Sequence, residues 1–332
     1  MRRTAKLRKI PILFALLLIL AAALTLPRVF LDIASAPYIR NDESVPVTSL
    51  RRTAPPAPES PVASVAHESP DISAEAPSNN FVTVHMGVSD VSAGSLILIN
   101  QDHEYDIPDG RGFITIAGQK TQSYRVTNDR MLLSDMAIGP LNDMMDAFCA
   151  ETGSDSVTVI SAFRDNEKQQ ETLDDYISLV GRAEAQRWAA LPGHSEHQSG
   201  LAVDFGVYSG GALRTFLGTG VNAWFPENSY KYGFIQRFPE NKTDITKTVH
   251  EPWHFRYVGE PHAYLMHQNG WCLEEYIGLM SEYTYDEPYK ALYNGDEYEI
   301  YFTGDTDIPI PFDCEFDISG NNVNGFIVTL KF

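Results

Sequence analysis

The chain has 332 residues, 43% of them hydrophobic and 11% aromatic, and a formal net charge of −19. That length supports one or two domains with a sizeable core. The acidic balance argues against a nucleic-acid partner, which would need basic surface to neutralise phosphates.

The N-terminus departs from this average. Residues 1–9 carry Arg2, Arg3, Lys6, Arg8 and Lys9 and no acid, and Ile10 to Leu26 is uncharged and almost wholly apolar. As a helix the apolar run spans roughly 25 Å, the short end of a bilayer core. A cationic flank stays in the cytoplasm. The pattern therefore predicts a cytoplasmic basic segment over 1–9, a membrane anchor over 10–26 and a single-pass topology with the remainder outside. Secretion after signal cleavage is the competing reading. Ala34, Ser35 and Ala36 have the small side chains of a cleavage site, but Pro37 follows them directly and opposes cutting.

Residues 27–80 read as a disordered, Pro-rich linker. Residues 41–80 contain no Phe, Tyr, Trp or Cys, so they cannot bury enough apolar surface to offset ordering. As a coil such a segment reaches roughly 35 Å, enough to hold a domain off a membrane. From residue 81 the sequence becomes globular, with one unit expected over 81–275 and a small β-rich extension over 276–332. The three cysteines, Cys149, Cys272 and Cys314, have no metal-binding spacing. They read as buried thiols, with a Cys272–Cys314 bridge left open.

In chain order, the apolar run within 94–106 predicts a strand. A helix is expected around Leu141 to Ala150, stopping near Gly153. Residues 157–164 form a β-branched run that delivers Arg164 at its end. Residues 165–191 are rich in helix formers, with Gly181 as a break. Strands are expected again in the runs beginning at Leu201 and at Pro252, with a turn and helix before Phe234 and a short helix at Cys272 to Met280. The tail alternates aromatic and polar residues and carries Asn-Gly pairs, which predicts two or three antiparallel strands. Helices interrupt strands without a βαβ rhythm, so the fold class expected is α+β, an antiparallel sheet with flanking helices.

Two short stretches carry chemistry. Ser195 to Gly206 holds His197 and Asp204, with Gly200 and Ala202 between them, and His250 to Gly259 holds Glu251 and His254. Taken alone, each is weak: His197 could be a turn residue and Asp204 a cap. Together, two His and an Asp form a suitable three-ligand set for a catalytic zinc, with Glu251 as a carboxylate base beside it. Residues three apart on a strand face opposite sides, so Glu251 and His254 need a local kink, for which Pro252 is a candidate.

With their flanks the two stretches resemble the zinc D-alanyl-D-alanine carboxypeptidases of the VanY type, which share a metal site with hedgehog and lysostaphin-like folds. The family pattern S-x-H-x-x-G-x-A-x-D fits Ser195, His197, Gly200, Ala202 and Asp204. Glu251, Pro252, Trp253 and His254 fit its E-P-W-H block, and Ser161 to Gln169 is similar to its S-G-Y-R-S-x-x-x-Q block, with Ala162 and Phe163 as departures. The resemblance covers about residues 90–275. It implies one zinc per chain held by His197, Asp204 and His254, with Glu251 as general base. It also implies that Arg164, Gln169 and Ser195 hold the substrate. A terminal carboxylate is well matched by a guanidinium fork, which supports the role of Arg164 independently.

The function expected is removal of the terminal D-Ala of peptidoglycan stem peptides. An L,D-carboxypeptidase or a D,D-dipeptidase on the same polymer is the nearest rival, since stereochemistry lies in pocket shape. A non-catalytic wall-binding module is the rival of another class, and an intact Glu251 argues against it. A serine peptidase needs a Ser-x-x-Lys pair, and no lysine here has a serine three residues before it. His194 and His250 flank the motifs and read as neighbours of the site, Trp253 as packing beneath it, and Arg237 as a partner for a structural carboxylate.

Overall fold

The computed structural model describes residues 80–107 and 112–332. The predicted anchor and nearly all of the linker lie outside the described residues, within which no helix is long and apolar enough to cross a membrane. The strands are β1 (Phe81–His85), β2 (Phe113–Thr115), β3 (Arg125–Val126), β4 (Leu132–Ser134), β5 (Val157–Ser161), β6 (Ala202–Ser209), β7 (Ala212–Thr215), β8 (Phe234–Phe238) and β9 (Glu251–Tyr257). In the tail follow β10 (Tyr289–Tyr293), β11 (Asp296–Thr303), β12 (Asp307–Pro311), β13 (Glu315–Gly320) and β14 (Phe326–Lys331). The longer helices are α1 (Asp135–Thr152), α2 (Asn166–Val180), α3 (His262–Asn269) and α4 (Leu273–Met280).

The central sheet runs β3-β5-β6-β9-β8, with β7 paired to β6. Only the β3–β5 pair is parallel. The architecture is α+β, as expected. Helix α1 lays Ala137, Leu141, Met144, Met145 and Phe148 against this sheet, where they join Val159, Val203, Phe205 and Phe255 in the main core. Those positions recur at three and four residues, one face of a helix. The helix starts at Asp135, earlier than the apolar pattern suggested, because Ser134 caps it by accepting from the Met136 amide. Pro140 lies inside the helix, where the buried face on both sides of it outweighs the lost hydrogen bond. Gly181 ends α2 as expected, with φ +83°.

Residues 95–99 correct the expectation of a strand. They are buried but join no sheet, apart from an isolated bridge between Asn100 and His103. Their backbone groups are satisfied elsewhere. The Leu96 amide donates to Ser319 Oγ, the Leu98 amide to the Asn321 carbonyl, and the Ser95 and Ile97 carbonyls accept from the Arg256 guanidinium. Side chains and one backbone carbonyl thus replace a ladder partner, which an apolar pattern cannot reveal.

The tail is larger than expected. It has five strands, four in a sheet of order β10-β11-β14-β13, with β12 paired to β1. Asn294 and Gly295, at φ +54° and +94°, make the two-residue turn between β10 and β11, the backbone that an Asn-Gly pair favours. Pro309 and Pro311 disguise β12, yet a strand paired on one side tolerates them. The tail packs on the rest through Ile300 and Ile327, which share a cluster with Leu96, Leu98, Val258, Leu273, Tyr276 and Met280. Cys149, Cys272 and Cys314 are all free thiols.

His262 joins these parts. Its Nδ1 lies 2.7 Å from the Tyr276 hydroxyl on α4, and its Nε2 lies 3.2 Å from Thr329 Oγ1 on β14. Burial pushes its pKa from the ordinary 6.5 down to about 3. Between those values the unfolded chain binds a proton that the folded chain refuses. Stability from this group is therefore complete above pH 6.5 and is lost as pH falls, by about 1.4 kcal/mol per unit. Melting midpoints measured from pH 6.5 to 4.5 should fall more steeply for the wild type than for His262→Gln. Parallel curves would exclude His262 as the source.

Candidate active site

Three segments converge at the C-terminal end of β5 and the facing parts of β6 and β9. The 3-10 turn Glu196–Ser199 carries His197. Ser195 caps it in a capping box with Gln198, and Gly200 closes it at φ +68°. A Cβ on Gly200 would stand 2.6 Å from the Phe113 ring and 3.0 Å from the Ser134 amide, so both conformation and space require glycine there. The chain then enters β6, where Asp204 lies directly opposite His254 of β9.

Glu251 and His254 reach the same side through an irregularity. Between Gln236 and Phe238 of β8 the pairing jumps from Phe255 to Glu251 on β9, so β9 carries extra residues around Pro252 and Trp253. Such a bulge re-aims side chains, and it brings Glu251 Oε2 to 3.5 Å from His254 Nδ1. A second register shift, in β5 between Val159 and Ser161, lies beside Asp204.

His197 and His254 present different nitrogens. His197 Nδ1 lies 2.6 Å from the Ala162 carbonyl oxygen, which leaves Nε2 facing Asp204 Oδ2 at 3.1 Å. His254 Nδ1 faces Asp204 Oδ1 at 3.1 Å. His197, Asp204 and His254 each offer one ligand atom, and these atoms all lie within 4.8 Å of one another. His197 Nε2 and Asp204 Oδ1 are buried without an aligned hydrogen-bond partner. Two imidazole nitrogens and a carboxylate, buried and pointed at one spot, fit a borderline-soft divalent ion such as zinc.

The surroundings set the charges. Burial alone would raise the Asp204 carboxyl, but His197 and His254 outweigh it and hold it well below its usual range. Burial, with a further push from Asp204, drives the Glu251 carboxyl up to about 8 against the pull of His254. Asp204 thus stays ionised as a ligand-type carboxylate, while burial favours the protonated form of Glu251.

Arg164 follows β5 and is held on three sides. Its Nε donates to Gln169 Oε1 at 2.9 Å, and its terminal nitrogens donate to Ser161 Oγ at 2.8 Å and Ser195 Oγ at 3.5 Å. Gln169 is fully buried on α2 and anchored to the Ala190 carbonyl. A guanidinium has five N–H donors, so these three bonds leave donors for the cleft that Arg164 lines with His194, Glu251 and His254. His194 lies outside the ligand group, its Nδ1 2.8 Å from the Asn100 carbonyl oxygen. His250 pairs with the Phe238 carbonyl, and Trp253 packs against the main core.

Two neighbours were not singled out in the sequence. Tyr176 of α2 stacks on Trp188, and its phenol pKa is raised by burial and then by the charges of Glu251 and Asp204. Glu196 sits within the His197 turn and accepts from Arg237 Nε at 2.7 Å and from Arg256 at 2.9 Å. Arg237 therefore does pair with carboxylates, the second being Glu274. Glu196 occupies a position that the motif leaves variable, so its only sequence signal was a charge beside a ligand-type histidine.

Comparison with known proteins follows the same residues. A family model described as VanY, D-alanyl-D-alanine carboxypeptidase, matches residues 130–260. A D-alanyl-D-alanine carboxypeptidase of Enterococcus faecalis is 37% identical over 221 residues, covering 61% of this chain and 73% of the relative. One of Enterococcus faecium is 30% identical over 246 residues, covering 72% of this chain and 76% of the relative. The solved structure of the vancomycin-resistance D,D-dipeptidase VanXYg, in complex with a D-Ala-D-Ala phosphinate analog, superposes with a TM-score of 0.68 at 31% identity. The match covers 76% of this chain and 99% of that one. Matched in sequence across most of both relatives and in fold across the whole of the solved one, this chain belongs to the VanY family of D-alanyl-D-alanine carboxypeptidases.

Proposed function

We propose that the chain hydrolyses the terminal D-alanine from peptidoglycan stem peptides, with one zinc ion held by His197 Nε2, Asp204 and His254 Nδ1. The observation that carries this reading is the convergence of those three ligand atoms within 4.8 Å, with Glu251 and Arg164 lining the same cleft. Zinc at such a set supplies Lewis-acid polarisation of a peptide carbonyl and lowers the pKa of water.

The chain's own residues account for the rest. Arg164, braced by Gln169, Ser161 and Ser195, binds the substrate's free carboxylate through its remaining N–H groups. That contact fixes the scissile peptide beside Glu251. Glu251 removes a proton from the attacking water as the oxygen bonds to the carbonyl carbon. It then delivers that proton to the departing amine nitrogen as the C–N bond breaks. The buried location of Glu251 favours catalysis over a binding-only role, because a buried carboxylate is costly to keep without a function. The basic flank and apolar run at the N-terminus support a membrane-anchored chain that works on the outer side, where the polymer lies.

Glu251→Ala should retain one zinc per chain and lose about a hundred- to ten-thousand-fold in turnover of a muropeptide ending in D-Ala-D-Ala. Near-normal turnover would assign the base elsewhere. Mass analysis of the products from pentapeptide, tetrapeptide and free D-Ala-D-Ala separates the D,D-carboxypeptidase from its two rivals.

Arg164→Ala should depress kcat/KM for the free acid far more than for the C-terminal amide. Equal losses on both substrates would make Arg164 structural. For topology, the full chain should sediment with membranes and its catalytic part should be digested by protease added from outside. Recovery of the chain in the medium with an N-terminus near Pro37 would instead identify a cleaved signal.

A further inference from the structure

His254 has two ring nitrogens, and only one of them faces Asp204. The other, Nε2, faces Glu196 Oε2 at 3.4 Å. Both of these atoms are buried and neither has an aligned hydrogen-bond partner. One arrangement serves both: a proton on Nε2 directed at Glu196. In the neutral ring, the form that can ligate a metal, that tautomer puts the Nδ1 lone pair on the side of Asp204 and Glu251.

Glu196 is itself immobilised. Its Oε1 accepts from Arg237 Nε at 2.7 Å and from Arg256 at 2.9 Å, which reserves Oε2 for the ring. Arg237 then turns its terminal nitrogens outward as a fork on Glu274, at 2.8 and 2.6 Å. Glu274 also accepts from Asn100 Nδ2 at 3.1 Å. Glu196, Arg237 and Arg256 are all buried, and Glu274 closes the chain of charges on α4. Two carboxylates and two guanidiniums balance, so no lone charge is stranded in the core. Glu274 lies outside residues 130–260, the stretch matched by the family model.

We propose that Glu196 is a positioning residue that fixes the ring orientation and tautomer of His254, and that Arg237 transmits to it the hold of Glu274 on α4. The proposal rests on the metal reading above. Outer carboxylates on ligating histidines typically change metal affinity or activity by about 10- to 100-fold. A cluster that served only folding would leave that affinity untouched. Glutamine at 196 retains the size of the side chain but offers one acceptor oxygen where the ring and two arginines need two.

The test uses the full chain, wild type against Glu196→Gln and Glu274→Gln. Zinc affinity is measured by competition with a chromogenic chelator, and the visible absorption of the cobalt(II)-substituted protein reports ligand geometry. Glu196→Gln should weaken zinc about 10- to 100-fold, shift the cobalt bands, and lower kcat with little change in KM. Glu274→Gln, although its side chain contacts none of the proposed ligands, should change zinc affinity and cobalt bands in the same direction by less. Wild-type affinity and spectrum in folded Glu196→Gln overturn the proposal. If Glu196→Gln does not fold, wild-type affinity and spectrum in Glu274→Gln overturn it. A wild-type chain that holds no stoichiometric zinc overturns the metal reading itself, and this inference with it.

Discussion

The register of β6 against β9 sets Asp204 directly opposite His254, and the candidate site is arranged around that pair. Antiparallel neighbours place opposing side chains a few ångströms apart, so two ligand-type groups from distant sequence meet without any loop having to close. The turn that enters β6 then adds His197 from one side. The bulge in β9 adds Glu251 from the other, and the end of β5 adds Arg164. A slip of one residue in either strand would turn Asp204 or His254 to the opposite face. The apolar packing of Val203, Phe205 and Phe255 opposes such a slip, since these residues fill the main core.

Much of this was legible because the motif residues are local. His197, Gly200, Ala202 and Asp204 lie on one turn and one strand, and their types follow from backbone needs that a sequence states openly. Gly200 reports a left-handed cap, Ala202 a fully buried position, and Asn294-Gly295 a tight hairpin. Arg164 was visible as a cation ending a β-branched run. The features that stayed hidden are relations between segments. The spacing of Glu251 and His254 looks wrong for one strand face, and only the pairing with β8 reveals the bulge that reconciles them. Glu196 is one acid among many until Arg237 and Arg256 are seen to share its oxygen. Residues 95–99 have the composition of a strand and the hydrogen bonds of a strap.

Charge is distributed unevenly between surface and interior. The chain carries a large acidic excess, yet the buried groups nearest the site are balanced pairs. Arg237 and Arg256 answer Glu196 and Glu274, and Arg164 stands 3.6 Å from Asp204. Buried ion pairs contribute little net stability, since desolvation offsets their attraction. Their value here is geometric: the guanidiniums hold Glu196 and Glu274 in fixed orientations, and Glu196 Oε2 faces the His254 ring at 3.4 Å. Helix α4, which carries Glu274, also carries Tyr276, the partner of His262, so the same helix serves the site and the seam with the tail sheet.

The strap at residues 95–99 also bears on how the chain folds. Its partners are distant: the Leu96 amide reaches Ser319, 223 positions away, and Arg256 reaches the Ser95 carbonyl across 161. Contacts of such sequence separation carry a large loop-closure cost before they return any stabilisation, and they slow folding. The strap's hydrogen bonds can form only where β9 and the tail sheet already hold their partners in place. Until then the Arg256 nitrogen that serves Ser95 and Ile97 has only water to donate to. The hold on Arg256, and through it on Glu196, thus depends on carbonyls 161 and 159 positions away in the chain.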